Sequence, residues 1–286
     1  MDTYVTLSVI AFIGAASLWE LLAGRNSDGR KSKEDWGMAV LASVTLAAVQ
    51  RPALVFATAW LGRILVPEFE GGLGWLQEVY FWPVLLAYIC IEELLHSGAH
   101  WFSHARRMRW KPLLYAQQLF KIGHRPHHFS GTNDGKGEIT VTQTFVEHSL
   151  FWFIMPNFWF QFTCLYLGLT EVFLFGTAFK GLWAAHNHVN WNYDLYFLNH
   201  RWAWVRKTMY ALCHVLTFPT QHHHHHARGK NSAKNMCNLL SIYDWLLFGT
   251  LAIETERPKQ YGWKQSAQEE HNIWHRYFAI DMKKLG

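Results

Sequence analysis

Residues 79–104 read VYFWPVLLAYICIEELLHSGAHWFSH, an apolar run that leads straight into three histidines spaced by four. The apolar part, 79–95, is long enough to cover most of a hydrocarbon core of about 30 Å at 1.5 Å per residue. His96, His100 and His104 fall at i, i+4 and i+8, which on a helix sets them along one face, about 6 Å apart per step. Imidazoles in that register can converge on one metal ion or on a close pair. A lone histidine is more often a satisfied core or surface group, and three in register at the end of a span do not fit that reading.

Working outward, two more apolar stretches precede this one. Residues 4–22 are almost wholly apolar, with Glu20 near the end and no basic segment before them, so they read as a span rather than a cleaved leader. Residues 38–66 are interrupted by Gln50-Arg51-Pro52. An arginine there should face a polar partner, and the proline should kink or break the helix. Two short helices around a bend and one kinked span fit this stretch equally. Residues 149–179 are apolar again, suiting a tight hairpin or one tilted helix, and nothing after Gly181 reads as a span.

Loop charge gives an orientation. The 24–36 loop carries Arg25, Arg30, Lys31 and Lys33, whereas 62–76 carries only Arg63. Basic loops favour the cytoplasmic side, so the third span returns to the cytoplasm and releases the histidines there, beside Arg106, Arg107, Arg109 and Lys111. The expected fold is therefore all-α: a multi-pass transmembrane helical bundle with a cytoplasmic helical cap carrying a histidine-rich dimetal site. It divides into N-terminal transmembrane helices (1–95), a histidine-bearing catalytic region (96–262, including the 149–179 hairpin) and a C-terminal tail (263–286). A soluble all-helical protein is the weaker alternative, given the number and length of the apolar runs.

Composition removes other classes. The formal charge of +5 is spread along the 286 residues without the basic stripe of a nucleic-acid binder. Cys90, Cys164, Cys213 and Cys237 form no C-x-x-C pair, which excludes zinc-finger and redox motifs and suits a reducing compartment.

The remaining histidines come in clusters. His124-Arg-Pro-His127-His128 is an H-x-x-H-H box; its spacing suggests that the first and second rings meet on a turn while the third reaches a neighbouring metal. His186-Asn-His188 supplies one ligand or none. Residues 222–226 are five consecutive histidines. They lie far from either terminus, where a tag would sit, and repeat the box as His222, His225 and His226, leaving His223 and His224 as spacers. The clusters offer at least nine nitrogens, too many for one structural zinc with about four ligands. Two metals sharing a cage fit better, and imidazole suits zinc, copper, iron and nickel alike. A metal pair at the mouth of a membrane bundle points to chemistry on a lipid that enters sideways from the bilayer.

These motifs, His100-x-x-x-His104, His124-x-x-His127-His128, His188-Val-Asn190 and His222-x-x-His225-His226, resemble the histidine boxes of the fatty acid hydroxylase/sterol desaturase superfamily. The likeness continues through Asn235-Met-Cys-Asn-Leu-Leu-Ser-Ile-Tyr-Asp244, Phe248-Gly249-Thr250 and 258–262, covering roughly residues 84–262. The gap between His104 and His124 is longer than usual there and suggests an inserted helix or loop. Cys237 replaces the glycine of the tail motif. His96-x-x-x-His100 is an alternative first box; Glu93, at the place of an upstream acid in the family, favours His100 and His104. His148, His200, His214, His271 and His275 read as structural or surface residues.

The resemblance implies a non-haem di-iron site held by His100, His104, His124, His127, His128, His188, His222, His225 and His226. It implies O2 as co-substrate, a membrane lipid (fatty acyl, sterol or related) as substrate, and hydroxylation of an unactivated C–H bond. Desaturation or sterol C-4 methyl oxidation on the same site is the alternative, and a metal-binding or transport protein a more distant one. No haem, flavin or nicotinamide motif is visible, so electrons would come from a separate ferredoxin-, cytochrome b5- or reductase-like donor. Arg106, Arg107, Arg109, Arg201, Arg206 and Lys207 could dock it, although basic groups beside a membrane more often face lipid.

Overall fold

The computed structural model describes residues 2–22, 33–105, 107–128, 139–262 and 277, which are mostly helical and contain no strand. Arg25, Arg30, Lys31, Arg106, His271 and His275 lie outside these residues.

The first apolar run forms helix α1 (Asp2–Leu22). The second settles as one continuous helix. Here α2 (Lys33–Thr45) passes through a π-turn (Leu46–Gln50) into α3 (Arg51–Leu65). Pro52 has no N–H to offer and its ring would strike the carbonyl four residues back; the widened turn just before it absorbs both defects. Helix α4 (Gly74–His104) runs 31 residues, kinked near Pro83 with Tyr80 off helical geometry. Among the described residues, Trp36–Leu65 and Gly74–His104 are long and apolar enough to cross a membrane.

At 1.5 Å per residue α4 measures about 46 Å, longer than a hydrocarbon core. Its surplus carries the first histidines, and the helix passes position 95 without interruption. The long gap before the second box is filled by α5 (Lys111–His124).

Residues 149–179 fold as a hairpin. A short α6 (Phe151–Ile154) precedes α7 (Pro156–Tyr166), and α8 (Thr170–His188) returns. With 11 residues, α7 is too short to cross a bilayer core alone. Its turn is clasped to the α3–α4 turn, where Gly71 N–H donates to the Tyr166 carbonyl and Leu73 N–H to that of Leu167, at 3.0 and 2.9 Å. Gly168 (φ +91°) makes this possible, since a Cβ there would sit 2.7 Å from the Gly71 carbonyl oxygen.

Helix α8 packs along α4, and Gly176 leaves the space that the Tyr88 ring occupies. The C-terminal part adds α9 (Tyr193–Leu198), α10 (Ala203–Val215) and α11 (Pro219–His225). The buried Glu20 carboxylate at the end of α1 accepts from Val141 N–H at 3.1 Å and Asn190 N–H at 3.0 Å. It thereby ties α1 to the segments that follow the second box and His188.

Candidate metal centre

Four elements deliver the nine boxed histidines to one place. The end of α4 carries His100 and His104; the end of α5 and the 3-10 turn Arg125–His128 carry His124, His127 and His128. The last turn of α8 gives His188, and α11 with its C-cap gives His222, His225 and His226. All are buried except His104, which is half-buried.

They divide into two groups: His100, His104, His124, His128 and His225, and separately His127, His188, His222 and His226. Within each group one ring nitrogen per residue lies within 4.8 Å of all the others. The pairing corrects the expectation from spacing. In both H-x-x-H-H boxes the first and third rings share a group, and the middle ring, His127 or His225, crosses to the other. In α11 an i to i+4 step turns the helix about 40° past a full turn, against about 60° short of one for i to i+3, so His222 and His226 overlie more closely; His124 and His128 meet instead across the passage from α5 into its 3-10 turn. His96 and His186 belong to neither group; His186 Nε2 meets the Tyr193 hydroxyl at 2.7 Å. His223 and His224 bond to the Val189 and Glu256 carbonyls, as spacers should.

The hydrogen positions follow from the acceptors. His100, His188 and His225 place Nδ1 at 2.6, 2.7 and 2.9 Å from the carbonyls of Met236, Ala184 and Lys234. A carbonyl only accepts, so Nδ1 holds the proton and Nε2 of each neutral ring presents a lone pair. His188 Nε2 nevertheless lies 3.1 Å from both His127 Nε2 and His222 Nε2. His128 Nε2 lies 3.0 Å from His124 Nε2 and 3.1 Å from His225 Nε2, and the buried His100 Nε2 has no hydrogen-bond partner. One imidazole nitrogen has one proton or one lone pair, so His128 cannot satisfy both neighbours. A cation among the nitrogens removes that conflict.

Imidazole donors suit zinc, copper, iron and nickel alike, and each of the two groups could hold a metal ion.

No protein-family model matches this chain, and neither does any curated protein or solved structure. The centre's chemistry is read from its own geometry.

Burial, followed by the neighbouring imidazoles, holds His124, His128, His222 and His226 far below the ordinary histidine value. Burial brings His225 to about 4 and the spacer His223 to about 3. The rings are thus kept neutral, as metal ligands must be. A histidine with a lowered folded pKa gives its full stability above the unfolded value of about 6.5 and loses it as pH falls toward the folded value. Each such ring should withdraw about 1.4 kcal/mol per pH unit, from pH 6.5 down to about 4 for His225 and about 3 for His223. Thermal midpoint and bound metal are expected to fall together below pH 6.5; both holding constant to pH 4.5 would contradict the buried, neutral cage.

Glu147 went unnoticed in the sequence. Its Oε1 lies 3.0 Å from His124 Nδ1 and so orients that ring, and it stands 3.7 Å from His127 Nδ1 in the other group, beyond hydrogen-bond reach. Burial pushes its carboxyl well above the usual range. The available signal was that Glu147 is the single acid between 139 and 170.

The tail motif supplies the carbonyls that aim the rings. Asp244, itself buried, accepts from Met236 and Cys237 N–H at 2.8 and 2.9 Å and from the Thr250 hydroxyl at 2.5 Å. Asn235, at φ +53°, bonds to the Gln221 and Ala252 carbonyls. Glu93 Oε1 accepts from Asn238 and Leu239 N–H, both at 2.7 Å. The loop holding the Lys234 and Met236 carbonyls is therefore pinned from α4 and from within.

Two openings reach the centre. A cavity of about 300 Å³ touches His100, His124, His127, His188 and His222 and is walled by Leu46, Phe151, Trp152, Met155, Phe158 and Leu174. A second crevice, of about 660 Å³, reaches His104 between Ser103, Lys121 and Arg228.

Proposed function

We propose that this protein is a membrane-bound di-iron oxygenase that hydroxylates an aliphatic C–H bond of a lipid. The overall change is R–H + O2 + 2e⁻ + 2H⁺ → R–OH + H2O, with both electrons from a separate donor protein. The observation that carries this reading is the facing of unprotonated imidazole nitrogens in two groups at the head of an apolar cavity. The order of the histidine boxes and the motif after the last one, which resemble the fatty acid hydroxylase/sterol desaturase superfamily, point the same way.

His100, His104, His124, His128 and His225 would hold one ion and His127, His188, His222 and His226 the other. Bound iron supplies the capacity to reduce dioxygen to an oxidant that attacks an unactivated C–H bond. The chain's own residues do the rest. Phe151, Trp152 and Phe158 exclude water from the cavity that receives the aliphatic carbon, which limits side reactions. Glu147 keeps the His124 ring turned toward the centre, and the crevice at His104, rimmed by Lys121 and Arg228, offers a route for protons. With the histidines on the cytoplasmic side, the donor would approach from there.

Desaturation uses the same oxidant and differs in how the substrate carbon is placed. A transporter would set its ligands within the spans, whereas these rings stand at helix ends. Comparison of lipid extracts from cells with and without the gene decides among them. A product one oxygen atom heavier is expected; one two hydrogens lighter would indicate desaturation, and no new product with metal accumulation would indicate transport.

A further inference from the structure

We propose that Arg51 anchors the carboxylate of a free long-chain acid, and so sets which lipid enters the cavity; calling that acid a substrate rests on the oxygenase reading above. Arg51 stands at the middle of the 30-residue apolar helix Trp36–Leu65 and lines the cavity beneath the histidines. A guanidinium is always charged and carries five N–H donors, and a charge at that depth demands a partner. Among the described residues Arg51 forms no ion pair and no side-chain hydrogen bond. Tyr88 bears on it electrostatically, and the buried Tyr88 hydroxyl has no hydrogen-bond partner either.

The acids that line the cavity, Glu92 and Glu147, are already engaged, Glu147 with His124 Nδ1 at 3.0 Å. Glu92 accepts from Asn157 Nδ2 at 2.8 Å and Gln161 Nε2 at 2.9 Å, and pairs with Lys180 Nζ at 3.0 Å. Glu93 pairs with the same Lys180 and receives the 238–240 backbone. The counter-charge for Arg51 must then arrive with the molecule that fills the cavity. A carboxylate matches a guanidinium with two parallel hydrogen bonds. A phosphate matches as well, but a phospholipid would bring two acyl chains to a cavity of about 300 Å³, where a free acid brings one chain and a small head.

Length follows from the helices. Glu92 and Lys180 each stand eight residues before a histidine of the centre, His100 and His188, which is about 12 Å of helix rise. Tyr88, beside Arg51, is one turn further, about 18 Å from His100. An acid head there needs a long aliphatic tail to bring any carbon to the histidines.

The test measures binding of radiolabelled hexadecanoic acid and of its methyl ester to the purified full-length protein in detergent, by equilibrium dialysis. The acid is expected to bind at least about tenfold more tightly than the ester. Arg51→Met should abolish that preference, Arg51→Lys should keep part of it, and metal content should match the wild type in both. Equal binding of acid and ester by the wild type, or an undiminished preference in Arg51→Met, overturns the inference. If Arg51→Met does not accumulate, the wild-type comparison and Arg51→Lys decide. Because binding is read without turnover, the two readings fail separately. A missing oxygenated product sinks the oxygenase and leaves the acid preference standing; product formation without the preference sinks only the anchor.

Discussion

Alanine at His188 is expected to lower bound metal from two ions per chain to one and to reduce turnover at least about a hundredfold. His188 is the one ligand that α8 contributes, and its Nε2 lies 3.1 Å from two other members of a group of four. Three rings would remain on that side, with His127 and His222 no longer bridged, while the group of five keeps every member. His127→Ala should remove the same ion as His188→Ala, and the double variant should lose no more metal than either single one. His225→Ala should remove the other ion, although His225 and His226 are adjacent in sequence. His186→Ala, two residues from His188, is the control and should retain both ions. Metal analysis on purified protein reads all of these. Full retention in His188→Ala, or loss of the same ion from His225→Ala, would break the assignment into two groups.

Replacing Lys180 by methionine should cost about 3–5 kcal/mol of stability, the usual effect of removing one partner from a buried ion pair. Lys180 is the shared cation for Glu92 and Glu93, and all three are at most 5% exposed. Without it two carboxylates lie side by side on α4 with nothing to balance them. Glu93 also receives the backbone of 238–240, close to the Met236 carbonyl that aims His100, so metal should be lost at the group of five first. Combining Lys180→Met with Glu92→Gln removes one of the two unbalanced charges and should recover part of the loss. Thermal unfolding in detergent measures both, and a single-variant cost under about 1 kcal/mol would show that the triad is not structural.

Much of the candidate site was legible because the histidines come in clusters whose spacing maps onto helix faces, and the family resemblance chose nine of them. Those nine stand together in two groups, while His96 and His186, which spacing alone left open, belong to neither. The division between the groups was not legible, since it depends on how α11 and the turn after α5 are rotated against one another. Among the spans, the gap at Gln50-Arg51-Pro52 left two readings open because proline's missing hydrogen bond can end a helix or be absorbed in a wider turn; packing chose the second. Glu147, Lys180 and Glu92 escaped notice for a common reason. Glu147 and Lys180 are lone charges in apolar stretches and Glu92 has only Glu93 beside it, and the role of each exists only through partners 20 to 90 positions away in sequence. Glu93 was singled out by its place upstream of the first box, but its work of holding the 238–240 loop needed the tertiary structure to appear.

The two openings at the centre differ in what they can admit. The one walled by Phe151 and Trp152 presents mostly apolar surface, and the one at His104 is rimmed by Lys121 and Arg228. His100 lines the first and His104 the second, one turn apart on α4. If the oxygenase reading holds, the cage would work as a bulkhead, drawing carbon from one side and protons from the other.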